Sequence, residues 1–103
     1  MLKIKKQENN SLSFSLLSGQ GTSLFDSIPY ASKDQLHHAF LKMKNPKDNE
    51  VIYERNTDHQ GNFVFYVKDS QGLLLGQSQL YRSEAGMENG IKNLRNRLSV
   101  VEL

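Results

Sequence analysis

The sequence predicts an α+β fold made of two related halves. The first observation is internal repetition, because shifting the chain by 51 positions superimposes identical or similar residues along much of its length. The second is that each half consists of alternating apolar segments followed by an amphipathic helix. Matched pairs are Phe14 with Phe65, Gly21 with Gly72, Tyr30 with Tyr81 and Ser32 with Ser83. Two copies are too few for a solenoid. We therefore predict one domain, 1–103, in which halves of about 1–48 and 49–103 cover each other about a pseudo-twofold axis.

The first half is expected to contain three strands and a helix. Alternation of apolar and polar residues predicts the strands, and glycine supplies the positive φ that the hairpin turn needs. The strands are predicted over 1–6, 12–16 and 22–28, with the turn at 18–21. Ser32 is a typical N-cap, with Gln35 three residues later as its capping-box partner. These residues predict a helix over about 33–44, which Pro46 ends because the residue before proline avoids the α region.

The second half shows the same order more clearly. Strands are predicted over 51–55, 63–68, 73–79 and, last in the chain, 99–103. Ser83 is expected to cap a second helix, whose buried stripe is Met87, Ile91, Leu94 and Leu98. Gly90 lies beside this stripe, and a glycine inside a helix lowers its stability. We therefore expect the helix to approach a strand closely at this position. The connector over 46–50 is too short to separate two domains.

Composition narrows the class of protein. Thirteen Lys and Arg against eleven Asp and Glu give a net charge of +2, and the two signs are interspersed as on an ordinary solvated surface. Cysteine is absent, which excludes disulfides, thiolate nucleophiles and thiolate metal sites. No apolar run approaches the ~20 residues that span a bilayer, and no signal peptide is recognisable. We expect a cytoplasmic protein without a membrane interaction.

The segment 61–97 resembles the YegP-like family, a group of uncharacterised proteins. The resemblance rests on an aromatic-aliphatic strand followed by Gly72, Gly76-x-Ser78-x-x-Tyr81, Ser83 and Asn89-Gly90-Ile91. The first half keeps Gly21, Ser27, Tyr30 and Ser32 but has His38-Ala39-Phe40 in place of the triplet.

This resemblance implies a specific architecture. It implies two tandem, pseudo-symmetric β-β-β-α-β repeats that form one barrel-like antiparallel sheet packed with two helices. Final strands would be exchanged between the repeats, so that 51–55 and 99–103 would each follow a helix and complete the other unit. Members with one unit pair as dimers, whereas this chain would form the pair internally and remain a monomer. The resemblance implies no activity, cofactor or catalytic residue.

Candidate catalytic patterns have simpler structural explanations. His37 and His38 are adjacent, and adjacent helical residues point about 100° apart, so they do not converge on one metal. We interpret them and His59 as surface histidines. Gly76-x-Ser78 lacks the second glycine of a nucleophile elbow, and the glycines at 19 and 21 lack the third glycine of a dinucleotide fingerprint. We therefore predict no catalytic, cofactor-binding or metal-binding residues.

A candidate binding surface is predicted from the second half. Val64 and Tyr66 point away from the strand face that the helix should cover, so they would form a partner patch if exposed. Arg82, Lys92 and Arg95 are basic residues around the second helix, although Glu88 precedes Lys92 by four and should partly neutralise it.

Three functions are compatible with these observations. The first is a non-enzymatic structural or interaction module with an unknown protein partner. The second is weak nucleic-acid or anion binding through the basic helix faces, with a steep salt dependence. The third is a small-ligand carrier or enzyme that uses a pocket inside the barrel.

Overall fold

A computed structural model describes residues 2–45 and 51–102. Each half contributes three strands and one helix, so the fold is α+β as predicted. The elements are β1 Leu2–Lys6, β2 Leu12–Leu17, β3 Ser23–Ser27, α1 Lys33–Lys44, β4 Val51–Thr57, β5 Phe63–Asp69, β6 Leu74–Gln77 and α2 Glu84–Val100. The predicted connector over 46–50 and the last residue, 103, lie outside the described residues.

The six strands form one antiparallel sheet in the order β1-β2-β3-β6-β5-β4. The sheet is open, with β1 and β4 at its edges, so the expected barrel-like closure is wrong. The two halves meet at the β3–β6 pair, where Asp26 lies opposite Gln77 and Ser27 opposite Gly76. The sheet stays open because two helices, rather than further strands, cover its apolar face.

One of the two expected final strands forms. β4 follows α1 in the chain and pairs along its whole length with β5, from Val51 opposite Asp69 to Thr57 opposite Phe63, as expected for a strand that completes the other unit. The other expected strand does not form within the described residues, because α2 continues through Val100. Divided at the 46–50 connector, the described elements of each half follow the order strand–strand–strand–helix.

Both helices begin at the predicted serine caps. The Ser32 hydroxyl accepts a hydrogen bond from the Gln35 backbone N–H at 3.2 Å, and the Ser83 hydroxyl accepts one from Gly86 at 3.0 Å. The Gln35 side chain reaches back to the backbone N–H of Ala31 rather than to that of the cap residue. These bonds satisfy N–H groups that an uncapped helix would leave without partners.

The end of α2 is set by a contact from the other half of the chain. The Lys44 ammonium, at the end of α1, donates hydrogen bonds to the carbonyl oxygens of Leu98 (3.1 Å) and Val101. A cation at this end also complements the helix dipole. This contact stabilises a last helical turn whose β-branched residues otherwise favour a strand. Neither helix within the described part of the chain combines the length and apolarity that a membrane crossing requires.

The core lies between the helices and one face of the sheet. Phe14, Phe25 and Phe40 form its aromatic centre, with ring centroids 5.8 Å apart in the Phe14–Phe25 and Phe14–Phe40 pairs. Phe25 has Gly76 as its counterpart 51 residues later. A Cβ atom at Gly76 would lie 2.3 Å from Cζ of the Phe25 ring, so the large and small residues complement each other across the junction.

Gly90 permits a close approach, as expected, but the neighbour is a side chain rather than one of the six strands. A Cβ atom there would lie 2.2 Å from the Tyr81 hydroxyl oxygen. Tyr81 is held by an isolated bridge with Phe63, and its ring stacks on that of Phe65 with centroids 6.4 Å apart. In the first half the corresponding positions are Tyr30, bridged to Leu12, and Ala39.

Candidate functional site

The five residues of the predicted binding surface lie on opposite faces of the sheet. Val64 and Tyr66 are in β5 and point away from the helices, because the alternate residues Phe65 and Val67 belong to the core. The basic residues precede or belong to α2, which packs on the other face: Arg82, Lys92 and Arg95. The structure therefore does not bring the five side chains together as one surface.

Val64 does not meet the condition on which its binding role depends. The residue is only 4% exposed, although it lies on the helix-free face of the sheet. Tyr66 is half-buried on the same helix-free face, opposite Glu54 of β4 and Gln77 of β6. Of the two β5 residues, Tyr66 alone remains a candidate contact for a partner.

The basic face of α2 is partly neutralised, though not by the predicted pair. Glu88 binds Arg55 of β4 through both carboxylate oxygens, with Arg55 Nη2 3.0 Å from Glu88 Oε1. The Arg55 guanidinium lowers the pKa of Glu88. Arg95 lies over the ring of Tyr53, 4.6 Å from its centroid. Lys92 is exposed and forms no ion pair with any other described residue.

The histidines occupy the surface positions that the sequence predicted. His37, His38 and His59 are all exposed. Within residues 2–45 and 51–102, no three His, Cys, Asp or Glu side chains lie close enough to hold a metal ion. The absence of a metal site in the whole protein stays a prediction.

Two grooves flank the helices at positions related by the 51-residue shift. The α1 groove lies between α1 and the β5–β6 hairpin, where its walls include Tyr30, His38, Lys42, Asp69, Leu73 and Leu74. The α2 groove lies between α2 and the β2–β3 hairpin, where its walls include Gln20, Tyr81, Asn89, Asn93, Asn96 and Arg97. Both lie outside the core, so neither is the pocket expected inside a barrel.

The α1 groove is the more apolar of the two. It has a volume of about 780 Å³ and is open to solvent at Leu73, which is 62% exposed. Lys42 Nζ lies 3.7 Å from Asp69 Oδ2 at one wall. Backbone N–H groups of Leu73 and Gln71 donate to the Asp69 carboxylate, and these bonds, together with Lys42, lower its pKa.

Tyr30 supplies a hydroxyl group to the α1 groove but cannot act as a base there. Burial, with the nearby Asp69 carboxylate, raises the pKa of Tyr30 to about 12. The hydroxyl therefore stays protonated at neutral pH, and it donates a long hydrogen bond of 3.4 Å to the Leu75 carbonyl oxygen. Tyr30 therefore offers the groove a hydrogen-bonding hydroxyl rather than a base.

The α2 groove is polar. It consists of adjoining hollows of about 510 and 270 Å³, which share Ser18, Gln20, Leu24 and Asn93. Positions that are charged or apolar in the α1 groove are neutral and polar here: Lys42 corresponds to Asn93, Asp69 to Ser18, and Leu73 to Thr22. The Tyr81 hydroxyl is buried and has no hydrogen-bond partner among the described residues.

Sequence reasoning missed both grooves. Each one joins a helix of one half to a hairpin of the other, so the residues on its facing walls are about 30 to 80 positions apart in the chain. The substitution of Thr22-Ser23 by Leu73-Leu74 at matched positions was the signal available in the sequence. The sequence alone does not show that this hairpin lies beside α1, so the substitution could not be interpreted without the structure.

A family model described as "Domain of unknown function (DUF1508)" matches residues 58–99. Curated relatives match over most of the chain. The UPF0339 protein YegP of Yersinia pestis is 30% identical over 102 residues, covering 96% of this chain and 89% of the relative. The UPF0339 protein YegP of Escherichia coli K12 is 27% identical over 93 residues, covering 90% and 84%.

Solved structures share the fold. The solution NMR structure of yegP from E. coli, described as a protein of unknown function, superimposes with a TM-score of 0.84 at 25% identity and covers 95% of this chain and 84% of that one. The solution NMR structure of a UPF0339 protein from Shewanella oneidensis gives a TM-score of 0.86 at 22% identity, covering 97% and 85%. Both solved structures therefore share the overall fold of this chain.

Proposed function

The chain belongs to the UPF0339 family of YegP-like proteins, and from that premise we propose that it is a small, non-enzymatic interaction module. Its partner is a peptide segment of another protein, which binds in the α1 groove. The segment carries leucine-sized apolar side chains next to a basic residue. Because relatives of this family are themselves uncharacterised, the proposal rests on the groove and not on an inherited activity.

The apolar hairpin rim is the observation that carries this proposal. Leu73 is 62% exposed and Leu74 is half-buried, and both face a groove whose floor includes the buried residues Ala39 and Leu75. Burying apolar surface yields roughly 25 cal/mol per Å². A side chain that fills the groove would cover this rim from solvent, which favours association.

Charge complementarity selects the occupant. Asp34 and Asp69 both line the groove. Among the described residues, Lys42 is the one Lys or Arg that does so, and it already lies beside Asp69. Asp34 forms no ion pair with any described residue. A basic residue beside the apolar anchor would pair with Asp34, whereas an acidic one would be repelled.

Peptide selection tests the proposal directly. A displayed library of short random peptides is selected on the immobilised protein, and enriched peptides are then measured individually by fluorescence anisotropy. We expect enrichment of peptides that combine Leu, Ile or Phe with Lys or Arg. Leu73→Thr/Leu74→Ser, which installs the residues of the matched positions 22 and 23, should weaken binding at least tenfold.

Leu80 provides the matched control. It is 58% exposed, as Leu73 is, but it does not line the α1 groove. Leu80→Thr should leave the affinity unchanged. Failure to enrich any apolar-basic peptide, or equal losses in the two variants, would reject the α1 groove as the binding site. Concentration-dependent sedimentation that Leu73→Thr/Leu74→Ser abolishes would also reject the proposal, since the occupant would then be a second copy of the chain.

We also infer that the halves are tandem pseudo-symmetric copies and that the protein is a cytoplasmic monomer. Matched hydrogen bonds support the repeat: the Ser27 hydroxyl accepts from the Phe14 N–H, and the Ser78 hydroxyl accepts from the Phe65 N–H. Sedimentation equilibrium should give 11.8 kDa. Substrate turnover that one polar substitution abolishes would refute the non-enzymatic assignment.

A further inference from the structure

We propose that the α2 groove binds a hydroxyl-rich organic anion, of the class that includes sugar phosphates and sugar acids. Arg97 would pair with the anionic group, and the amides and hydroxyls along the groove would hold the rest of the molecule. The two hollows, of about 510 and 270 Å³, are large enough for a molecule of this size. This site is separate from the α1 groove, so either proposal can fail without the other.

The charge of the α2 groove points to an anion. Arg97 lines the groove, and its guanidinium reaches the opposite wall, where Nη2 would lie 3.4 Å from a Cβ atom at Gly19. Its side chain forms no ion pair with any described residue, and no Asp or Glu lines either hollow. An arginine left unpaired in a groove presents its planar set of donors to a carboxylate or phosphate.

Neutral polar side chains define the rest of the ligand. Gln20 and Asn93 line both hollows, and Asn89 and Asn96 extend the row along α2. An amide side chain offers both a donor and an acceptor. Several such groups on facing walls match a molecule with many hydroxyl groups better than a simple inorganic anion.

The two grooves differ in the way this proposal requires. In the α1 groove Lys42 and Asp69 satisfy each other's charge. The α2 groove has Asn93 and Ser18 at those positions, and its one charge, on Arg97, is unpaired. Related scaffolds thus present one apolar groove with internal charge pairing and one polar groove with a free cation.

Titrations followed by two-dimensional NMR test the site in the full-length protein. The probes are glucose 6-phosphate, galacturonate, glucose and inorganic phosphate, each at up to 20 mM and constant ionic strength. We expect saturable shifts of the backbone amides over 18–24 and 89–97 with at least one organic anion. Binding of the phosphate probe alone or of the carboxylate probe alone identifies the anionic group and supports the site.

Variants separate ligand binding from a structural role of Arg97. Arg97→Gln should weaken binding at least tenfold, whereas Lys92→Gln, an exposed cation of the same helix outside the groove, should not. No saturable shift with either organic anion, equal affinity for inorganic phosphate, or undiminished binding by Arg97→Gln would overturn the proposal.

Discussion

Replacing Gly90 by alanine separates helix propensity from packing. In an ordinary helix, Gly→Ala stabilises by about 1 kcal/mol, because alanine loses less backbone entropy on folding. Here the added Cβ atom would lie 2.2 Å from the Tyr81 hydroxyl oxygen and 2.5 Å from Cζ. Ordinary contacts of this kind lie at 3.4 to 4 Å. The substitution therefore requires the tyrosine or the helix to move.

Tyr81 has little freedom to move. Its backbone exchanges two hydrogen bonds of 2.7 Å with Phe63, and its ring stacks on Phe65 at an interplanar angle of 14°. Overpacking at such a site costs about 1–3 kcal/mol. After subtraction of the propensity gain of about 1 kcal/mol, we expect a net loss of about 0–2 kcal/mol in the free energy of unfolding for Gly90→Ala.

Urea denaturation and calorimetry measure this loss. For a chain of this size, 1 kcal/mol corresponds to about 4–8 °C in melting temperature. Ala39→Gly, at the matched position of α1, is the comparison. It should lose about 1 kcal/mol through helix propensity and roughly 0.8 kcal/mol more because its methyl group is buried. Tyr81→Phe combined with Gly90→Ala should recover part of the loss, since it removes the atom with the shortest contact.

An increase in stability of Gly90→Ala would refute this reasoning. It would mean that α2 shifts at little cost and that Gly90 is not required by Tyr81. If Gly90→Ala lowers the free energy of unfolding equally with tyrosine and with phenylalanine at position 81, the hydroxyl oxygen is not the atom that makes the substitution unfavourable.

Three further predictions concern the junctions between the halves. Lys44→Met should lower the free energy of unfolding by about 1–3 kcal/mol, the range for a charged hydrogen bond. It should also speed hydrogen exchange at the Val101 N–H. The control Lys92→Met should have neither effect. Hydrogen bonds from the Leu73 and Gln71 N–H groups and the Lys42 charge lower the pKa of Asp69. Its contribution to stability is therefore complete above the unfolded pKa of about 3.9 and is lost as the pH falls through the lower folded value. The urea midpoint of Asp69→Asn should accordingly depend less on pH between 5 and 2 than that of the unmodified protein, and an identical acid slope would contradict this assignment. Gly76→Ala would place Cβ 2.3 Å from Cζ of Phe25 and 2.4 Å from the Asp26 carbonyl oxygen. Denaturation followed by circular dichroism should therefore show that the free energy of unfolding falls by about 3 kcal/mol or more. An unchanged melting temperature would count against a tight β3–β6 junction.

Local patterns predicted the elements well because their causes are local. The Ser32 cap and the alternation of Leu12, Phe14 and Leu16 act within a few residues, and α1 and β2 form at or very near the expected positions. The end of α2 could not be predicted in this way. Residues 99–103 favour a strand by composition, but Lys44, more than fifty positions earlier, supplies the hydrogen bonds that stabilise the last helical turn.

The candidate site was less predictable than the fold. Arg82, Lys92 and Arg95 were recognisable as basic residues, but their pairing was not, since the partner of Glu88 is Arg55 on β4. Val64 was expected on an outer face, and it lies there, yet it is buried. Exposure depends on which strands lie on either side, and periodicity within one strand carries no information about its neighbours.

The sequence by itself determined the two-part order of strands and helices, the serine caps and the residues of the core. These features follow from side-chain periodicity and from hydrogen bonds between near neighbours in the chain. Only the tertiary structure decided that the sheet stays open, that α2 continues through Val100 where a last strand was expected, and that each helix faces the hairpin of the other half. The physical reason is that these outcomes depend on contacts between distant segments, whose free energies compete only after the segments have formed.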